Sequence, residues 1–297
     1  MSIASMMFRV NATRSDNKRD AGLSTPSGVL RFDDIQYGPD RKWNRLDVYR
    51  PRDIDGPLPV IVSVHGGGWV YGDKERYQYY CMSLVQHGFA VVNFTYRLAP
   101  RYKFPSSLED TNRVFHWLLE NASAYGFDRE HVFAVGDSAG ANMLGLYSCL
   151  CTNPDYAASF DFQPPTGFRP TAVALNCGVY QIEPPKEGEK GNPLLADLLP
   201  RKGTPEELAR ISVMRHMTDR FPPALVMTCE GDFLAEAAPP MAEKLKSLGV
   251  PMEYRYYGDK EHVLGHVFHC NMYLEEAHRC NADQCAFFRR YLGERDA

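Results

Sequence analysis

The chain predicts an α/β fold built on a mainly parallel, doubly wound sheet of eight strands, and three observations carry that expectation. Short apolar runs rich in β-branched residues alternate with helix-forming segments along most of the sequence. Runs such as 59–64 and 89–94 are apolar at nearly every position instead of every second one, which suits strands covered on both faces. A third run, 132–135, feeds directly into Gly136-Asp137-Ser138-Ala139-Gly140 and then into a helical pattern, as a tight strand-to-helix turn requires.

The elements follow in order. Residues 29–35 and 46–49 read as two opening strands joined by a turn around Gly38-Pro39-Asp40. The third strand is 59–64, followed by a helix over 77–87 that Gly88 ends, a strand at 89–94 and an amphipathic helix over 108–121. Strands at 132–135, 172–175, 224–228 and 252–257 complete the sheet, and a closing helix carries Ala277, Cys285, Phe287 and Phe288. The stretch 181–221 breaks this rhythm. It begins with prolines and charges, then offers Thr204-Pro205-Glu206-Glu207, a good helix start. Lying between two strands whose C-terminal ends should line a site, it is expected to form part of a small lid together with an N-terminal arm of about residues 1–28; a plain surface excursion is the alternative. The length suits one domain, 1–297, with a substantial core.

Composition narrows the function. A net charge of −4 offers no basic field for nucleic acid, and no run approaches the ~20 apolar residues a membrane span needs. Residues 1–22 carry Arg9, Arg14, Lys18 and Arg19 without a continuous apolar core, so no secretory signal is expected and a cytoplasmic setting is. The eight cysteines form no Cys-x-x-Cys pair and several sit in apolar stretches, which suits reduced, buried thiols.

The chemistry gathers around Ser138. In a Gly-x-Ser-x-Gly turn the serine is lifted above the sheet, while Gly136 and Gly140 let strand and helix approach closely. His65-Gly66-Gly67-Gly68-Trp69 follows the third strand, and the amides of Gly67, Gly68 and Ala139 are placed to meet a tetrahedral oxyanion. The loop lacks the lysine and hydroxyl residue of a phosphate-binding loop. His65 lies upstream of the serine and reads as structural. A carboxylate should follow the serine, then a histidine. Asp232, presented by the Gly231 turn, competes with Glu230 and Asp259; the base is His262 or His266, which spacing alone does not decide. His269 is expected in the first turn of the closing helix. A metal site of His262, His266 and His269 lacks the helical carboxylate-plus-histidine motif, so neither metal nor cofactor is expected. Trp69, Tyr71 and Tyr77 either line a substrate pocket, Trp69 and Tyr71 foremost, or pack beneath the lid.

With these motifs the chain resembles the hormone-sensitive-lipase-like esterase family of α/β-hydrolases. The likeness rests on His65-Gly66-Gly67-Gly68, Gly136-Asp137-Ser138-Ala139-Gly140, Tyr96-Arg97-Leu98-Ala99-Pro100 and Phe104-Pro105-Ser106-Ser107-Leu108-Glu109-Asp110, runs over about 46–291, and is weakest at 181–221. Within that frame Phe268 and Ala277 point to His266 over His262. The resemblance implies hydrolysis of short-chain acyl esters of a small molecule, with acetyl or cinnamoyl esters of plant-derived sugars as one substrate class. It implies Ser138 as nucleophile, His266 as base and Asp232 as its orienting partner. Amide hydrolysis, as in the similar kynurenine formamidases, is a second reading. A third is a non-catalytic receptor like the gibberellin receptors, which lack the catalytic histidine. Neither nucleic acid nor membrane is an expected partner, and a second copy of the chain is left open. Two departures stand out: Arg101 replaces the family's usual glutamate, and Val267 stands where glycine is common.

Overall fold

The strand order β1-β2-β4-β3-β5-β6-β7-β8 puts β3 and β5 at the centre of an eight-stranded sheet. In this computed structural model, which describes residues 1–293, the strands are β1 (Val29–Gln36), β2 (Arg45–Pro51), β3 (Leu58–Val64), β4 (Ala90–Thr95), β5 (Phe127–Asp137), β6 (Val173–Asn176), β7 (Ala224–Cys229) and β8 (Met252–Tyr257). The last four positions of the expected 1–297 domain lie outside the described residues. β1 pairs with β2, and β2 with β4, in antiparallel fashion; every other pairing is parallel. The mainly parallel sheet of the expectation is therefore the one observed.

Continuous apolar runs are explained by burial on both faces. Along β3, Val60, Val62 and Val64 pack into one core while Ile61 packs into another, and Phe133 and Val135 of β5 join Ile61 whereas Ala134 does not. The first core takes Leu108, Phe115 and Leu118 of helix α3 (Ser106–Tyr125) and Leu144 of α4 (Ala139–Thr152); the second takes Tyr80 and Leu84 of α2 (Lys74–Val85). Short helices α5 (Pro154–Ala157), α6 (Pro193–Leu198), α7 (Pro205–Arg210) and α8 (Val213–His216) follow, with α9 (Ala238–Ser247) and α10 (Glu275–Arg289) completing the set once α1 (Ile3–Asp20) is counted. Thr204 and Glu207 form a reciprocal capping box on α7, as the Thr-Pro-Glu-Glu run anticipates.

Two differences from the sequence reading have physical causes. The N-terminal arm is an 18-residue helix, α1, whose only buried residue is Ser5. Ile3, Met6, Met7 and Val10 follow the helical spacing but are exposed, and residues 11–20 are mainly polar, so the apolar period that reveals a helix lasts only about two turns. Its signals are local: Ser2 caps the N-terminus by accepting from the Ser5 amide, and Lys18 and Arg19 sit in the last turn where the helix dipole favours cations. His269 is not in the first turn of the closing helix. It lies in a 3-10 turn, Phe268–Cys270, five positions or more before that helix begins, and its buried ring meets Tyr80 edge-on with centroids 5.0 Å apart.

Candidate active site

The site forms at the C-terminal ends of the central strands, where open parallel sheets gather functional loops. Ser138 follows β5 in a left-handed conformation, φ 52° and ψ −118°, and its amide donates to Asn176 O at 2.9 Å. The flanking glycines are required sterically. A Cβ on Gly136 would lie 2.7 Å from Gly140 O, and one on Gly140 would lie 2.1 Å from Val64 O. Strand β3, the elbow and helix α4 are thus in backbone contact, which holds the serine rigidly above the sheet.

Loops after β7 and β8 bring two further side chains to it. His266 Nε2 lies 3.0 Å from Ser138 Oγ, and its Nδ1 lies 2.6 Å from Asp232 Oδ1. Asp232 is buried and accepts from Thr228 Oγ1 at 2.7 Å and from the Leu234 amide at 2.9 Å. Burial pushes its pKa up, but the hydrogen bonds and the neighbouring imidazole outweigh burial and hold the carboxyl below its ordinary range. Gly231 couples the two loops: its amide donates to Leu264 O at 2.9 Å, and a Cβ there would come within 2.6 Å of that oxygen.

The competing residues lie elsewhere. His262 is 61% exposed and pairs with Glu276 at 2.6 Å. Glu230 accepts from the Tyr256 hydroxyl, and Asp259 closes its own turn by accepting from the amides of Glu261 and His262. His65 is buried, stacked on Tyr96 with ring centroids 3.9 Å apart, and burial pulls its pKa down to about 4. It packs behind the loop it begins. Arg101 is exposed against the Tyr102 ring and takes no part in the site.

Gly67 (φ 115°) and Gly68 (φ 58°) turn the loop after β3 through backbone that a side chain rarely permits. Gly67, Gly68 and Ala139 all line the cavity at Ser138, and among the described residues their amides donate to no loop carbonyl or side chain. Behind them, the Tyr77 hydroxyl donates to Asp137 Oδ2 at 2.7 Å, and the Gly66 amide donates to Tyr77 Oη at 3.0 Å and Asp137 Oδ1 at 3.2 Å. Asp137 thereby ties the elbow to the glycine loop. The motif contains this residue, yet spacing does not reveal that its side chain turns back beneath the loop.

The cavity measures about 520 Å³. Trp69 and Tyr71 line it, as do Phe8 and Ala12 of α1, Leu194 and Leu195 of α6, and Phe233. Tyr71 donates to Asp16 on α1 at 2.8 Å. Among the described residues six non-glycine positions have positive φ, and four of them, Trp69, Ser138, Cys177 and Val267, cluster here; such strained backbone concentrates where a site over-determines it.

Comparison with known proteins bears on the family and the fold. A family model described as the alpha/beta hydrolase fold matches residues 61–266. The chain is 28% identical over 231 residues to the versiconal hemiacetal acetate esterase of Dothistroma septosporum, covering 72% of this chain and 69% of that protein. It is 28% identical to the probable carboxylic ester hydrolase LipM of Mycobacterium tuberculosis, over 68% of this chain but only 48% of that one, so it spans about half that relative's length. Esterase B of Lactobacillus rhamnosis superposes with a TM-score of 0.84 at 23% identity, covering 95% of this chain and 93% of that one, a likeness of fold. Among the described residues no helix is long and apolar enough to cross a membrane. The chain belongs to the α/β-hydrolase fold family, in its hormone-sensitive-lipase-like group of carboxylic-ester hydrolases.

Proposed function

We propose that the protein is a serine esterase that hydrolyses short-chain acyl esters of a small molecule through an acyl-enzyme. The observation that carries this reading is the Ser138–His266–Asp232 chain of hydrogen bonds, 3.0 Å and 2.6 Å, opening onto an apolar cavity beside free amides. Ser138 Oγ attacks the ester carbonyl carbon as His266 Nε2 takes its proton. Asp232 holds Nδ1–H, fixing the tautomer and stabilising the imidazolium that forms. The amides of Gly67, Gly68 and Ala139 meet the oxyanion, a contribution of about 10²–10³ in turnover for a single donor. His266 then returns the proton to the leaving alcohol, and water repeats the cycle on the acyl group.

The cavity size and its aromatic and leucine walls support a small acyl group and a compact apolar alcohol, and the acetate ester in the name of the Dothistroma relative agrees. Helices α1 and α6 serve as the lid over it. Hydrolysis of p-nitrophenyl esters from two to sixteen acyl carbons tests this: turnover should peak at the short end and vanish across the series in Ser138→Ala. A maximum on the longest chains, or activity retained by that variant, would overturn the proposal.

A further inference from the structure

Two members of the proposed triad belong to a second constellation as well. Cys177 directly follows β6, is buried, and is held at φ 46°, a left-handed conformation uncommon for a residue with a side chain. Its Sγ, a carboxylate oxygen of Asp232 and a ring nitrogen of His266 all lie within 4.8 Å of one another. Ester hydrolysis as described above uses no thiol at this point. Thiolate, carboxylate and imidazole together form a donor set suited to zinc, whose bonds of about 2.0–2.3 Å set tetrahedral ligand atoms roughly 3.3–3.8 Å apart. The three groups therefore need only small movements to close on one ion.

We propose that Cys177, Asp232 and His266 bind a thiophilic divalent cation of the zinc type, and that binding switches the esterase off. The loss of activity rests on the reading of His266 as base; the binding does not. On binding, metal–sulfur, metal–oxygen and metal–nitrogen bonds form at Cys177 Sγ, Asp232 and His266 Nδ1. The Cys177 S–H bond breaks and its proton leaves to solvent. The proton that Nδ1 shares with Asp232 moves to Nε2, so the imidazole stays neutral but faces Ser138 Oγ as a donor and no longer takes the serine proton. No electrons are transferred. A fourth position remains for water, the arrangement of an ion held by three protein ligands.

The experiment uses the full chain stripped with chelator, titrated with zinc during p-nitrophenyl butyrate hydrolysis and, separately, with cobalt(II) in the spectrophotometer. Zinc should inhibit the unaltered chain, and chelator should reverse the effect. Cys177→Ser and Cys177→Ala should hydrolyse the ester as the unaltered chain does but require at least about tenfold more zinc for the same inhibition, the lower range seen on perturbing a metal's partners. Cobalt(II) should give the unaltered chain a thiolate-to-metal charge-transfer band in the near ultraviolet that both variants lack. Equal zinc sensitivity in the variants, or no such band in the unaltered chain, overturns the proposal. The cobalt spectrum of the unaltered chain decides it even where a variant fails to fold. A chain inactive before any zinc is added would instead overturn the esterase reading, with the cobalt band still deciding the metal site.

Discussion

Val267 is a β-branched residue held at φ 55°, ψ 33° between the histidine that meets Ser138 and the 3-10 turn that follows. Backbone of that kind costs an L-residue about 1–2 kcal/mol, and a β-branched residue suffers it most. This explains why glycine is common at the position in the family the chain resembles. Ordinarily alanine is more stable than glycine by about 0.5–1 kcal/mol. Here the order should invert: Val267→Gly should melt higher than Val267→Ala in thermal denaturation, and the usual order would show that the backbone is not strained. Asp137 offers a second test at this scale. Burial pushes its pKa up to about 6, against the hydrogen bonds from Tyr77 and Gly66 and the nearby His266 that pull it down. A carboxyl raised above its unfolded value of about 3.9 binds its proton more tightly when folded, so its contribution is full below about pH 4 and lost as pH rises through about 6, on the order of 3 kcal/mol. Asp232, held low, acts in the opposite sense and favours the fold above its unfolded range. The melting temperature of Asp137→Asn relative to the parent should therefore climb between pH 5 and pH 8; a constant difference would mean that Asp137 carries no such shift. The elbow motif points to Ser138 and the Gly231 turn favours Asp232 over Glu230 and Asp259, whereas spacing leaves His262 and His266 open; the family frame of Phe268 and Ala277 favours His266, and the fold of the loop after β8 is what brings it to Ser138.

At the scale of elements, α1 is the feature least visible in the sequence and the most consequential for the cavity. Its N-terminus docks on α6 through Asp197, which accepts from the Ser2 amide at 2.8 Å and Ser5 Oγ at 2.6 Å. Arg9 then donates to the carbonyls of Val70 and Ala99 at 2.6 and 2.9 Å, fastening the helix across the glycine loop. These are polar contacts to groups far away in sequence, so no periodic pattern announces them. Hydrogen bonds to a charged group contribute about 1.5–3 kcal/mol each, and Asp197→Ala should release the start of α1 without unfolding the sheet. Limited trypsin digestion should then cleave the variant after Arg9 or Arg14 faster than the parent. Equal cleavage rates would mean that α1 is held by other contacts.

For the whole molecule, the sheet was legible because strands covered on both faces leave unbroken apolar runs. β3 sends Val60 and Ile61 into different cores, and the composition of such a strand hardly alternates. The strand ends shift by a residue or two, and β5 extends back to Phe127 through partly exposed residues that no apolar run marks. The cavity was legible only in part: Trp69, Tyr71 and the segments 1–28 and 181–221 were expected at it, and residues of all four line it, but which side chains of those segments face it was not. It is assembled from α1, the loop after β3, the elbow, α6 and the turns after β7 and β8, and only the folded chain brings them together. All eight cysteines are free, so no disulfide holds the assembly together. What this arrangement is for turns on one atom, Ser138 Oγ. A fluorophosphonate, which phosphonylates an activated serine, followed by peptide mass mapping, tests it directly. One adduct should form, on Ser138, in step with loss of ester hydrolysis, and it should be absent from His266→Ala. An unlabelled Ser138, or labelling that persists at full rate without His266, would contradict it.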